Sequence, residues 1–234
     1  MHRFEGKQVV VTGGAGALGS AVVERLAREG AAVIVPIEGD AKAGALHEME
    51  RVRTVEGVDL GEADACERFF AEAAGDGALW GSVHVAGGFA MGGIEGDDAP
   101  GQFAQMMRLN AQTCYLSCRS ALRRMGDGGG RIVNVAARPA LRPEQGGQMV
   151  AYAASKAAVA AMTGALAAEV KGRGVLVNAV APSTIDTPAN REAMPDADHA
   201  AWPTPEAIAE TICFLACPSN TLTSGEVVPV YGKV

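Results

Sequence analysis

The feature that most constrains this sequence is a rhythm of unbroken aliphatic runs. Residues 8–12 (Gln8-Val9-Val10-Val11-Thr12) form the first, and 32–37, 53–58, 79–85, 131–135, 175–181 and 227–230 follow. A run with no polar alternation suits a strand covered on both faces, and strands of that kind belong to parallel sheets. Between the runs lie stretches of helical periodicity. One carries Ala21, Val22, Leu26 and Ala27; others cover 64–74, with Phe69 and Phe70 turned inward, then 102–125, 151–171 and 205–216. Strands alternating with helices predict an α/β chain. The sheet is doubly wound and parallel, with about seven strands and helices on both faces, a Rossmann-type arrangement. Ligands of such sheets bind outside the carboxyl ends of the strands.

Nothing divides the chain. Its 234 residues contain no linker-like segment, so a single domain over 1–234 is expected, hiding roughly 70–75% of the unfolded surface. A formal charge of −7 argues against a nucleic-acid-binding surface. The basic cluster Arg119, Arg123 and Arg124 reads as a solvated or interface edge. Met1-His2-Arg3-Phe4 leads straight into a strand, without the pattern of a secretory leader. The apolar stretch 151–170 is interrupted by Lys156 and Glu169, so it reads as a buried helix rather than a membrane span. A cytoplasmic location follows as the expectation. The five cysteines, Cys66, Cys114, Cys118, Cys213 and Cys217, include two pairs at i, i+4 spacing, and no histidine is near them in sequence. They are read as small buried hydrophobes, with no metal expected.

The turn after the first run is Thr12-Gly13-Gly14-Ala15-Gly16-Ala17-Leu18-Gly19. Gly14, Gly16 and Gly19 satisfy G-x-G-x-x-G between a strand and a helix, where bare backbone can approach a pyrophosphate and the helix N-terminus favours its charge. At the end of the second run, Ile37 and Glu38 are placed for the adenosine ribose, with Asp40 close behind. No Arg or Lys occurs between Glu29 and Lys42. A 2′-phosphate would meet repulsion, which favours NAD(H) over NADP(H).

Tyr152-Ala153-Ala154-Ser155-Lys156 places a phenol and an ammonium one helical turn apart. The ammonium favours the phenolate and should draw the tyrosine below its ordinary pKa near 10, toward proton transfer.

With these residues the chain resembles the short-chain dehydrogenase/reductase family along essentially its whole length. The resemblance implies Tyr152 as proton donor, Lys156 as its partner and as a ligand of the nicotinamide ribose, and Asn110 as anchor of a relay water. It implies a dinucleotide laid across Gly13, Gly16, Ala17, Leu18 and Gly19. Asp59 and Leu60 would meet the adenine, and Ala86 and Gly87 stand for part of the family's Asn-Asn-Ala-Gly stretch. Pro182, Ile185 and Thr187 would grip the nicotinamide carboxamide. By the same analogy, the helices at 102–125 and 151–171 build the interface of a homodimer or homotetramer.

The departures are as informative. His84-Val85 replaces the Asn-Asn pair, and Ser183 stands where the family has glycine. Ala136-Ala137-Arg138 occupies the place of the catalytic serine, and no Ser or Thr occurs between Arg131 and Ser155. A branch of the family that lacks this serine, the quinoid dihydropteridine reductases, is similar in three blocks. These are Thr12 to Ser20, Val85-Ala86-Gly87-Gly88, and the stretch from Asp186-Thr187-Pro188 through Asn190-Arg191 and Met194-Pro195 to Trp202. That likeness implies reduction of a quinonoid dihydropterin with NADH. Two readings compete: a general carbonyl reductase that manages without the serine through Arg138, Gln148 or a bound water, and a dinucleotide sensor without turnover. Arg138, Gln148 and Met149 are the expected substrate contacts.

Overall fold

The computed structural model describes residues 2–39 and 43–234. Seven strands run along the chain: β1 (Gln8–Thr12), β2 (Ala32–Ile37), β3 (Val52–Glu56), β4 (Gly81–His84), β5 (Gly130–Val135), β6 (Val175–Pro182) and β7 (Val227–Val230). They pair, all parallel, in the order β3-β2-β1-β4-β5-β6-β7. The chain turns outward from β1 to β3 and then restarts beside β1 with β4. Thr12 therefore pairs with His84, and the loops leaving β1 and β4 emerge side by side at the carboxyl edge.

The unbroken runs are explained by two cores. Val9 and Val11 face one side, with Val33, Val35, Val83 and Val133. There they meet Val22 and Leu26 of α1 (Ala17–Arg28) and Ile208, Ile212 and Leu215 of α8 (Pro205–Ala216). Val10, Ile34, Ile132 and Val177 face the other side. They meet Phe69 and Phe70 of α2 (Ala63–Ala74), Cys118 of α4 (Thr113–Leu122) and Val159 of α6 (Val150–Glu169). The central strands β1, β4, β5 and β6 bury both faces, which accounts for their mostly aliphatic runs, while the edge strands β3 and β7 are partly exposed.

The expected helix at 102–125 is three pieces. α3 (Ala99–Met106) passes into a π-helical turn, Met107–Gln112, and then into α4. The wider turn carries Asn110, which is buried; such turns recur at functional positions. The basic cluster gains a partner that its spacing did not show. Arg119, Arg123 and Arg124 converge on Glu67 of α2, with nitrogen–oxygen distances of 3.5, 3.6 and 2.9 Å. They form a partly solvated ion-pair hub beside α2, an exposed edge as expected but one neutralised by Glu67.

α6 is long and apolar enough, by length and composition, to cross a membrane. Here it lies along the sheet with Ala151, Ser155, Lys156, Val159, Thr163 and Ala167 buried. Short helices α5 (Arg138–Leu141) and α7 (Pro188–Ala193) follow the ends of β5 and β6.

Candidate active site

The loop after β1 is shaped by close approach. Gly13 has φ +67°, and a side chain there would place Cβ 2.6 Å from the Ala86 nitrogen. The Ala86 N–H in turn donates to Thr12 Oγ1 (3.2 Å), joining this loop to the one after β4. A Cβ on Gly19 would run into the Gly13 carbonyl. Gly14 has a different duty: it is buried, and a Cβ there would lie 2.6 Å from Val35 Cγ1. Of the glycines in the G-x-G-x-x-G spacing, it is the one that packs helix on sheet. Gly16 caps α1 without a side-chain hydrogen bond, and the first turn holds no acidic residue. Gly16 and Ala17 are exposed and Leu18 is buried behind them. The helix thus presents uncapped N–H groups at the carboxyl edge of the sheet, which suits a pyrophosphate.

At the end of β2, Ile37 is buried and Glu38 is exposed; Asp40 lies outside the described residues. Asp59 accepts from Arg108 Nη2 (2.8 Å) and from the Gly61 N–H (2.8 Å). Arg108 holds the Asp59 carboxyl below its usual range. The Leu60 side chain is buried in the second core, so it offers a ligand no side-chain surface.

The π-helical turn delivers Asn110 to the loop after β4. Its Nδ2 donates to the Gly88 carbonyl (3.0 Å) and to Ser155 Oγ (3.0 Å), while its Oδ1 accepts from the Gly88 N–H (2.9 Å). Ser155 Oγ donates to the Tyr152 carbonyl (2.8 Å). Both amide hydrogens are spent on the scaffold. Through them Asn110 fixes the start of α6 against the loop at Gly88. Gly87 sits between: a Cβ there would collide with Asn110 Oδ1 and lie 3.3 Å from Lys156 Nζ.

Lys156 is buried, and its Nζ donates to the Val135 carbonyl at the end of β5 (2.9 Å). Burial lowers its pKa to about 8, against a smaller raising effect from Cys114. Burial also pushes the half-buried Tyr152 up to about 12. The expected lowering of Tyr152 by Lys156 is therefore corrected: desolvation governs both groups, and the ammonium is turned to a backbone carbonyl. The reading of the sequence also missed Phe89. Its ring is 60% exposed and stands edge-on to Tyr152, with centroids 5.0 Å apart. An aromatic directly after Ala86-Gly87-Gly88, past a strand's carboxyl end, was the available signal.

Ala136 and Ala137 are buried at the end of β5, and the Ala136 N–H donates to the Val180 carbonyl (2.8 Å). Arg138 opens α5 with its guanidinium 5.0 Å from the Tyr231 ring centre. Gln148 has φ +60°, an uncommon conformation for a side-chain-bearing residue. Its carbonyl accepts from the Gly92 N–H (2.8 Å), and the Met149 N–H donates to Gly146. Gln148 thus adjoins the loop that carries Phe89, while Met149 is held within its own turn. Pro182 ends β6. The Ile185 carbonyl accepts from Asn190 Nδ2 (2.8 Å), and Thr187 Oγ1 caps α7 by accepting from the Asn190 N–H (3.2 Å). The Thr187 hydroxyl oxygen expected at a carboxamide is already engaged in that cap.

All five cysteines are buried and free, as read, but two of them stand beside a histidine that is distant in sequence. His84 joins Cys114 and Cys118, with ligand-capable atoms within 4.8 Å of one another and all three residues buried. His84 bridges Ser82 Oγ (2.7 Å) and Asn134 Oδ1 (2.8 Å), and Cys118 Sγ lies 3.4 Å from its Nδ1. Parallel pairing of β4 with β5 brings His84 opposite Asn134, so distance along the chain was no guide. The cluster is a hydrogen-bonded floor beneath the site.

The comparisons with known proteins agree with this geometry. The model of the short chain dehydrogenase family matches residues 7–198. Galactitol 2-dehydrogenase of Rhizobium johnstonii is 35% identical over 244 residues, covering 97% of this chain and 95% of that protein. A short-chain dehydrogenase/reductase from Serratia marcescens BCRC 10948 superposes with a TM-score of 0.89 at 29% identity over 99% of each chain. The blue fluorescent protein from a metagenomic library, solved with NADPH, gives 0.89 at 28% identity, over 99% of this chain and 98% of that one. The chain belongs to the short-chain dehydrogenase/reductase family and is an NAD(P)-dependent oxidoreductase.

Proposed function

We propose that this enzyme reduces a strongly electrophilic acceptor, with Tyr152 as the proton donor. The observation that carries the reading is the convergence of buried Lys156, Tyr152 and the uncapped N-terminus of α1 on one edge of the sheet. The nicotinamide supplies the hydride. Gly13, Gly16, Ala17, Leu18 and Gly19 hold the pyrophosphate. Ile37 and Glu38 receive the ribose, Asp59 and the Leu60 backbone the adenine, and Ala86 and Gly87 flank the nicotinamide ribose. Pro182, Ile185 and Thr187 orient the carboxamide through their backbone. Lys156 lies one turn from Tyr152 and stabilises negative charge as the phenol gives up its proton. Burial keeps Tyr152 protonated through the physiological range, so it acts as an acid that releases its proton as charge develops on the substrate.

The absence of a hydroxyl at Ala136 and Ala137 favours an acceptor that needs little polarisation. A quinonoid dihydropterin is such an acceptor, and the likeness from Asp186 to Trp202 supports it. Arg138, Gln148 and Met149 border the substrate space. A second reading, oxidoreduction of a simple alcohol or ketone, is favoured by the dehydrogenase relative. NADH is the preferred cofactor, because Glu38 would repel a 2′-phosphate. The protein works as a cytoplasmic homodimer or homotetramer built on α4 and α6.

The test is a steady-state panel of quinonoid dihydropterin and simple ketones, each with NADH and NADPH. Faster turnover of simple ketones would replace the quinonoid reading by the second one. Tighter binding of NADPH than of NADH would overturn the cofactor preference.

A further inference from the structure

Arg138 is the one partly buried arginine that makes neither a hydrogen bond nor an ion pair among the described residues. Arg68 and Arg142 also lack partners there, but both are exposed, and water solvates them. Other arginines below full exposure are engaged: Arg131 with the carbonyls of Gly130 and Asn220, Arg124 with Glu67, and Arg3 and Arg25 with Glu29. The Arg138 Nε is buried without an acceptor, as are those of Arg124 and Arg131, but the terminal nitrogens of those two are bonded and those of Arg138 are not. The Tyr231 ring gives the cation a face to lie on but supplies no in-plane acceptor for its N–H groups. A donor withdrawn from water with nothing to bond is costly.

Its position says what would bond it. Arg138 follows β5, Tyr231 is the first residue past β7, and Ser183, the first past β6, donates from its Oγ to the Tyr231 carbonyl (2.8 Å). The guanidinium therefore lies at the carboxyl edge of the sheet between the ends of β5 and β7, with β4 separating β5 from β1, the strand that feeds α1. The acid of the neighbouring segment, Asp186, is already paired with Arg191 (2.5 Å). Arg138 directly follows Ala137, the residue in place of the serine.

We propose that Arg138 is a substrate-recognition residue whose planar fork takes two in-plane acceptor atoms of the substrate. A carboxylate presents such a pair, and so do the carbonyl oxygen and neighbouring ring nitrogen of a pterin-like heterocycle. The inference rests on the reductase reading and deepens it by naming the acceptor's chemistry. Either group also withdraws electrons from an adjacent reacting centre, which suits a site without a hydroxyl at Ala137.

The test compares wild type with Arg138→Lys, which keeps charge and loses the fork, and Arg138→Gln, which loses both. Quinonoid dihydropterin, a 2-oxo acid and a simple cyclic ketone are assayed with NADH. Both variants should lose about tenfold or more in kcat/KM for whichever of the first two is the better wild-type substrate. The cyclic ketone and NADH affinity should change less than about twofold. The substrate that suffers identifies a ring edge or a carboxylate. Equal losses on all three, or none, would overturn the proposal. Binding of a pterin and of benzoate to the NADH complex, read by saturation-transfer NMR, needs no turnover. Binding that depends on Arg138 without any turnover would sink the reductase reading and keep this one; equal binding to wild type and Arg138→Gln would sink this one. Matching thermal midpoints of the three proteins show that the variants fold.

Discussion

The Phe89 ring meets the Tyr152 ring edge to face, at 5.0 Å between centroids and 82° between planes. Phe89 is mostly exposed, so this contact does little for the fold and leaves its other face open over the tyrosine. Edge-to-face pairs contribute about 0.5–1.5 kcal/mol beyond area burial. Phe89→Ala should therefore lower kcat/KM roughly three- to tenfold while the melting temperature stays near that of wild type. Stopped-flow kinetics beside calorimetry checks this. A large loss of stability with unchanged kinetics would show Phe89 to be a packing residue.

Gly87 is held against Asn110 and Lys156 with no room for a methyl group. Gly87→Ala should displace the Asn110 amide, which fixes Gly88 and Ser155. The expected cost is about 1–3 kcal/mol, together with a loss of turnover. Gly101→Ala in α3, where nothing lies within 4 Å of the added atom, is the control. It should be neutral or raise stability by up to about 1 kcal/mol. Urea unfolding of both variants gives the comparison.

These two positions also show what a linear reading captures. The aliphatic runs had to be strands covered on both faces, and Val9, Val10 and Val11 alternate between two cores. Tyr152 and Lys156 are local partners on one helix, and Gly13 to Gly19 is a local turn, so both were legible. The π-helical turn was not, because Met107 to Gln112 holds ordinary helix formers. Its widening accompanies bonds from Asn110 to Gly88 and Ser155, which are distant in sequence. The same holds for the salt bridges from Arg119, Arg123 and Arg124 to Glu67, and for His84 beside Cys118. The protonation states were misjudged because the helical spacing of Tyr152 and Lys156 reveals nothing of burial.

Lys156 gives a pH signature. Its pKa is lowered by burial to about 8 from 10.5. Between those values the folded chain has released a proton that the unfolded chain retains, so stability rises with pH across the window, and the full cost applies below it. Lys156→Met removes that cost. Its stability relative to wild type should be highest near neutral pH and narrow by on the order of 2–4 kcal/mol toward pH 10.5. Unfolding of both proteins without dinucleotide at pH 7, 8, 9 and 10 measures the slope, and a difference independent of pH would contradict the assignment.

Ala137 stands where a hydroxyl would polarise a carbonyl. Loss of one donor to a developing oxyanion typically costs about 10²–10³ in rate. Ala137→Ser should raise reduction of a simple ketone by at least about tenfold, and raise reduction of quinonoid dihydropterin much less. Parallel rate measurements on the two substrates decide this; equal gains would mean that both acceptors need the same polarisation.

The central claim is that Tyr152 donates the proton, and the most direct measurement is turnover and NADH affinity of Tyr152→Phe. The ring that Phe89 packs against is retained, so binding of NADH should stay within about twofold. Turnover should fall roughly 10²–10⁴-fold, the usual contribution of a positioned general acid. A Phe variant that keeps more than about a third of the wild-type rate, below even the smallest loss expected of a general acid, would contradict the account.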